Sequence, residues 1–96
     1  MRSSSTLRFE YDPAKSAGNK AKHGLDFLEA QALWKGDRIR FSAKTVEGEP
    51  RWALIGKIRG RYHTVIVTYR GPFVRIISAR PSSKNEIQIY ERIKKS

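Results

Sequence analysis

Arginines 70, 75 and 80 fall within one short run, RGPFVRIISAR, whose Val74, Ile76 and Ile77 have the apolar character of a core strand. A guanidinium is a planar fork of donors that matches phosphate oxygens and stays charged at physiological pH, so several on one rigid surface make an anion site. Arg70 and Arg80 lie beside strand ends, where a site can open, and are favoured as a charge-stabilising pair. Arg75 lies inside its segment and, five residues from Arg80, would face the other side of a regular strand. A plainer role for each is a solvated side chain, or an ion pair with Glu86 or Glu91.

Groups able to move a proton are few. Histidine is the side chain whose ordinary pKa lies nearest neutrality, and the chain has two, His23 and His63. His23 follows Lys22 at the end of a helical pattern, where an imidazole can simply meet free carbonyls. His63 alternates with Val65 and Val67, as a half-buried strand residue would. Glu49, in a polar loop two residues before Arg51, is a candidate base that an arginine would keep ionised and oriented. Lys22, Arg51, Lys57, Arg61 and Arg75 supply further cations for a phosphate-rich partner. Forty residues separate the histidines, without ligand spacing, and cysteine is absent, so neither a metal nor a cofactor is expected.

Twenty Lys and Arg against nine Asp and Glu give a formal charge of +11 over 96 residues, which points to nucleic acid as the partner. With 39% hydrophobic residues the chain can close one modest core, which excludes a two-domain enzyme. No apolar run follows the N-terminal MRSSSTLRF, so a soluble, cytoplasmic protein without a membrane span is expected.

The elements that must position these residues can be read from periodicity. Residues 1–6 form a Ser-rich tip expected to be disordered, and a single domain is expected over 7–96. Leu7 to Tyr11 alternates as a strand, and Asp12-Pro13 opens a helix that Gly24 stops after His23. Asp26 and Glu29 form a capping box for a second helix carrying Phe27, Ala30, Leu33 and Trp34 on one face. Arg38 to Ala43, Arg51 to Ile58, Arg61 to Tyr69 and Phe73 to Ala79 read as a four-stranded meander. A last helix runs from Ser83 to about Ile93, opened by a Ser83 and Glu86 capping box. The expected class is α+β, an antiparallel twisted sheet with two N-terminal helices and one C-terminal helix. Trp52, Tyr62, Tyr69 and Phe73 could stack on unpaired bases, although core closure leaves one or two of them free at most. Gly56 and Gly60 read as turn or bulge glycines.

The opening run DPAKSAGNKAKHGLDFLEAQALW resembles that of BrnT-family toxins through Tyr11, Asp12, Lys15, Asn19, Lys22, His23, Gly24, Phe27 and Ala30. The likeness continues through Glu49, Arg51, Gly56, Thr68, Arg70, the RIISAR of Arg75 to Arg80, Glu86 and Tyr90, and so spans Phe9 to Tyr90. Trp34 stands where a Phe is usual, and Pro81 where an Ala-like or basic residue is common. The resemblance implies a RelE-like fold and a metal-independent endoribonuclease that arrests translation by cutting RNA. It also implies a cognate BrnA-like, ribbon-helix-helix antitoxin whose complex with the toxin binds operator DNA, and the formal charge of +11 calls for that antitoxin to be acidic. Metal-free cleavage uses the ribose 2′-OH as nucleophile, so a base, a stabiliser of the phosphorane and a proton for the leaving oxygen are needed. Arg80, Arg70, His23 and Glu49 are the catalytic candidates, and the KHG match strengthens His23. A non-catalytic basic RNA- or DNA-binding module would explain the charge equally well.

Overall fold

The computed structural model describes residues 7–95, so the expected disordered tip lies outside the described residues. The chain runs β1 (Arg8–Glu10), α1 (Pro13–His23), a 3-10 helix (Glu29–Lys35), β2 (Arg38–Val46), β3 (Glu49–Ile58), β4 (Arg61–Arg70), β5 (Phe73–Pro81) and α2 (Lys84–Lys95). Local chemistry sets α1 as expected. Asp12 accepts from the Ala14 N–H at 2.8 Å, Pro13 opens the helix, and Gly24, at φ 75°, closes it by donating to the Lys20 carbonyl.

Two N-terminal α-helices were expected, and only α1 forms. The Asp26 and Glu29 capping box is made reciprocally, at 2.7 and 2.9 Å, but the segment behind it winds as a 3-10 helix. Its buried positions fit that winding, since Phe27, Ala30 and Leu33 are three apart, the repeat of a 3-10 turn.

The expected all-antiparallel sheet is also corrected. Five strands lie in the order β1-β5-β4-β3-β2, with β1 parallel to β5 and the rest antiparallel. The helices carry the chain over one face to the far edge, and the β2 to β5 meander then returns it beside β1. Arg59-Gly60 and Glu47-Gly48 both turn with two positive φ angles, 54° and 78° in one and 51° and 77° in the other, the two-residue turns that suit strand twist. The second hairpin extends β2 to Val46 and starts β3 at Glu49, so Glu49 belongs to a strand rather than a loop. Gly60 is a turn glycine as expected, whereas Gly56 sits inside β3. A Cβ there would lie 3.0 Å from the Asp37 carbonyl oxygen and 3.2 Å from Leu33 Cγ, so a larger residue would press on the 3-10 helix and the segment after it.

The main core lies between the sheet and the first two helices, where Leu25, Phe27, Ala30 and Leu33 meet Leu54, Ile58, Val65, Val67, Val74, Ile76 and Ala79. Along β5 the inward residues are 74, 76 and 79, an odd step that a bulge absorbs: Val67 pairs with Ile76 and Ile66 with Ser78, leaving Ile77 as the extra residue. This overturns the expectation that Arg75 and Arg80 face opposite sides. Their partners Thr68 and Thr64 are four apart on β4, so both arginines share the face away from α1. That outer face carries the buried Ala53, Ile55, Thr64 and Thr68, and α2 lies over part of it with Tyr90 edge-on to Tyr62 at 5.3 Å.

Buried Asn19 fastens α1 to the sheet. Its Nδ2 donates to the carbonyls of Leu25 and Ala79, both at 2.7 Å, and its Oδ1 accepts from the Ala79 N–H at 3.3 Å. Short β1 pairs with β5 only through Phe73 to Arg75, so the Asn19 amide takes the place of a neighbouring strand at Ala79. Asn19→Ala leaves three buried backbone groups without partners, a cost of about 3 kcal/mol or more. The melting temperature should fall by more than about 10 °C for a domain of this size. A thermal scan showing a shift of only a degree or two would contradict that role.

Candidate functional site

The outer sheet face gathers three guanidiniums around a carboxylate. Ala43 pairs with Arg51 and Thr68 with Arg75, and one step beyond the Trp52 and Val67 pair the register brings Arg51 beside Thr68. Arg51 and Arg75 therefore flank Thr68, about 10 Å apart at their Cα atoms from the spacing of strands. Thr68 itself is buried and donates to the Pro50 carbonyl at 2.9 Å. Glu49 takes a two-pronged contact from Arg70, Nε to Oε2 at 3.0 Å and Nη2 to Oε1 at 3.4 Å. That hydrogen bond holds the Glu49 carboxyl below its ordinary value, opposed by desolvation and helped by the charges of Arg70, Arg51 and Arg75. Arg75 in turn meets Glu10 of β1 at 3.1 Å.

Arg51 differs from its neighbours. Its Nε is buried with no hydrogen-bond partner, and no carboxylate pairs with it among the described residues. A buried donor of this kind costs about 1–3 kcal/mol until something accepts from it.

Arg80 belongs to a second group on the same face. Four positions separate Thr64, its strand partner, from Thr68, a distance of about 13 Å along β4. Its Nη1 and Nη2 both donate to Glu86 at 2.8 Å, so the fork is engaged by the first turn of α2. Glu86 also accepts from Thr64 Oγ1 at 2.9 Å and from the Ser83 N–H at 2.8 Å, completing the expected capping box. The Glu86 ion pair anticipated as the plainer role of Arg80 is thus present in the fold.

The remaining candidates lie elsewhere. Lys57 stays on the outer face, exposed, with Nζ 5.0 Å from the centre of the Tyr62 ring. His23 and Arg61 line a cavity with His63 on the α1 side of the sheet, and Lys22 is exposed on α1. The structure therefore brings together Glu49, Arg51, Arg70 and Arg75, sets Arg80 farther along the same face, and leaves His23, Lys22 and Arg61 apart. Of the aromatics, Tyr62 packs on Tyr90, while Trp52 and Tyr69 hold the Arg40 guanidinium at 4.7 and 5.7 Å. The Glu10 ion pair, the place of Thr68 between Arg51 and Arg75, and the Arg40 contacts have no signal in the sequence. Glu10 gave no sign of its partner because nothing local places β1 beside β5. Among the described residues no three of His, Cys, Asp and Glu gather as metal ligands.

Residues 11–86 match a family model described as "Ribonuclease toxin, BrnT, of type II toxin-antitoxin system". No curated protein matches the chain.

The Glu86 network makes stability depend on acid. The Arg80 hydrogen bonds, with those of Ser83 and Thr64, hold its carboxyl down to about 2 from an ordinary 4.5. A carboxyl depressed on folding contributes stability that is complete above the unfolded value and lost as pH falls towards the folded one. Melting temperature should therefore drop between pH 4.5 and about 2, and Glu86→Gln should flatten part of that drop. Glu29, also held to about 2, leaves a residual slope in both proteins. Identical slopes would show that the network contributes nothing.

Proposed function

The chain belongs to the BrnT family of type II toxin-antitoxin ribonuclease toxins, and from that membership we propose that it cuts RNA at the Glu49, Arg51, Arg70 and Arg75 cluster without a metal. The observation that carries this reading is the convergence of three guanidiniums and one ionised carboxylate on a single sheet face, with a buried Arg51 donor still unmatched. A phosphate arriving there competes with Glu49 for Arg70. As the Arg70 hydrogen bond loosens, Glu49 regains basicity and can take the proton of the ribose 2′-OH. The 2′-oxygen then forms its bond to the adjacent phosphorus, and the charge growing on the phosphorane is met by Arg51 and Arg75, which are already in place. As the bond from phosphorus to the 5′-oxygen breaks, the proton on Glu49 is the one the cluster offers to the leaving oxygen. The products are a 2′,3′-cyclic phosphate and a 5′-hydroxyl.

In this proposal Arg80 and Lys57 extend the cationic track along the same face, within one toxin domain of RelE-like fold that begins near residue 7. The cut RNA supports translation, so cleavage in the cytoplasm arrests protein synthesis. The type II family implies a cognate antitoxin and an RNA substrate. We take the antitoxin to be a BrnA-like ribbon-helix-helix protein with an acidic toxin-binding segment, since a formal charge of +11 favours such a partner. Operator DNA is then contacted through the antitoxin. No helix of the described residues is long and apolar enough to cross a membrane.

Arg51→Met separates catalysis from folding. It replaces an unmatched buried donor by an apolar chain of similar length, so thermal stability should hold or rise. RNA cleavage, followed with EDTA present and by analysis of the product ends, should fall about a hundredfold, the scale for losing one charge-stabilising donor. Undiminished cutting by Arg51→Met, or loss of wild-type cutting on chelation, would contradict the mechanism. RNA binding with no cleavage at all would favour the non-catalytic module.

A further inference from the structure

On the α1 side of the sheet, the end of α1 and the β3–β4 hairpin enclose a cavity of about 350 Å3 lined by His23, Gly24, Leu25, Ile58, Arg59, Arg61 and His63. Leu25 and Ile58 are buried apolar residues, and the rim is made of two imidazoles and two guanidiniums. His63 Nδ1 lies 2.9 Å from the Arg61 carbonyl oxygen. A carbonyl only accepts, so Nδ1 carries its hydrogen, and Nε2 contacts a phosphate oxygen only in the imidazolium form, in which both ring nitrogens donate. Arg59 is tied at 2.9 Å to Glu29, which Lys20 also binds, whereas Arg61 has no carboxylate partner among the described residues. The last turn of α1, which carries His23, ends here. An anion would therefore sit against Arg61 and His63, with the imidazole of His23 closing the other side.

We propose that this cavity is a second phosphate site, separate from the Glu49 cluster, which holds a phosphate group of the RNA away from the scissile bond. Assigning the phosphate to RNA rests on the ribonuclease reading, while the chemistry of the site does not. A planar donor fork beside an imidazole over an apolar base selects a compact oxyanion, and low local polarity strengthens each contact.

The test uses the whole protein and the ring signals of its two histidines in NMR, with two probes added separately. One is inorganic phosphate, and the other is a 2′-deoxy dinucleotide, a diester that lacks the nucleophile and cannot be cut. Both imidazoles should shift saturably with phosphate, and Arg61→Ala should weaken the response about tenfold, as expected for loss of a charged donor fork. His63→Gln, checked by its melting temperature, should weaken the His23 response if Arg61→Ala fails to fold. A response to both probes identifies a backbone phosphodiester, and a response to phosphate alone identifies a terminal phosphate. Either result supports the site. No saturable shift, or unchanged affinity in the folded variants, overturns it. RNA cleavage measured in parallel keeps the two readings distinct: absent cleavage with responsive imidazoles removes the ribonuclease mechanism and leaves the phosphate site standing.

Discussion

The amide of Asn19 is the contact on which the rest of the fold depends. One side chain answers both backbone groups of Ala79 and the carbonyl of Leu25, so it joins α1, the turn after it and β5 at a single buried point. Ser16, one turn earlier, accepts from the Phe27 N–H at 2.9 Å and steadies the same turn. Buried amides are costly to leave unpaired and well specified when fully paired. Here the specification matters beyond stability, because Ala79 stands between the β5 bulge and Arg80. The register of that strand decides which side of the sheet receives each arginine.

Given that register, the two faces divide their work. The inner face closes the apolar core against α1 and the 3-10 helix, with Arg61 and His63 at its β3–β4 end, while the outer face carries Arg51, Arg70, Arg75 and Arg80. Glu10, Glu49 and Glu86 each offset one arginine of the outer face. Arg51 has no such partner, and its buried Nε makes no hydrogen bond within the fold. Unsatisfied groups of this kind are tolerated where a ligand completes them.

Much of this was legible in the sequence where the signals are local. Asp12-Pro13 and Gly24 bound α1, Ser83 and Glu86 open α2, and the meander follows from β-branched runs between short turns. What stayed hidden depends on contacts distant along the chain. The bulge at Ile77 cannot be seen in an apolar run, and it reversed the parity inferred for Arg75 and Arg80. The parallel place of β1 is set by a crossover, and the spacing of Phe27, Ala30 and Leu33 suits one face of an α-helix as well as a 3-10 turn. Glu49 and Arg70 were both picked out singly, but only the Glu47-Gly48 hairpin, which went unread, brings Glu49 into the sheet beside Arg70. His23 and His63, 40 positions apart, looked unrelated until the fold placed them in one cavity.

The central claim is that the scissile phosphate lies on the outer face, against Arg51 and within reach of Glu49. The most direct measurement is a crystal structure of the protein with an RNA carrying a single 2′-deoxy nucleotide at its mapped cut site, which binds without reacting. The account predicts a phosphate oxygen about 3 Å from the Arg51 guanidinium, with Glu49 freed from Arg70 and facing the position of the missing 2′-hydroxyl. A scissile phosphate seated on the α1 side of the sheet, or on the outer face with Glu49 still clamped by Arg70, would contradict it.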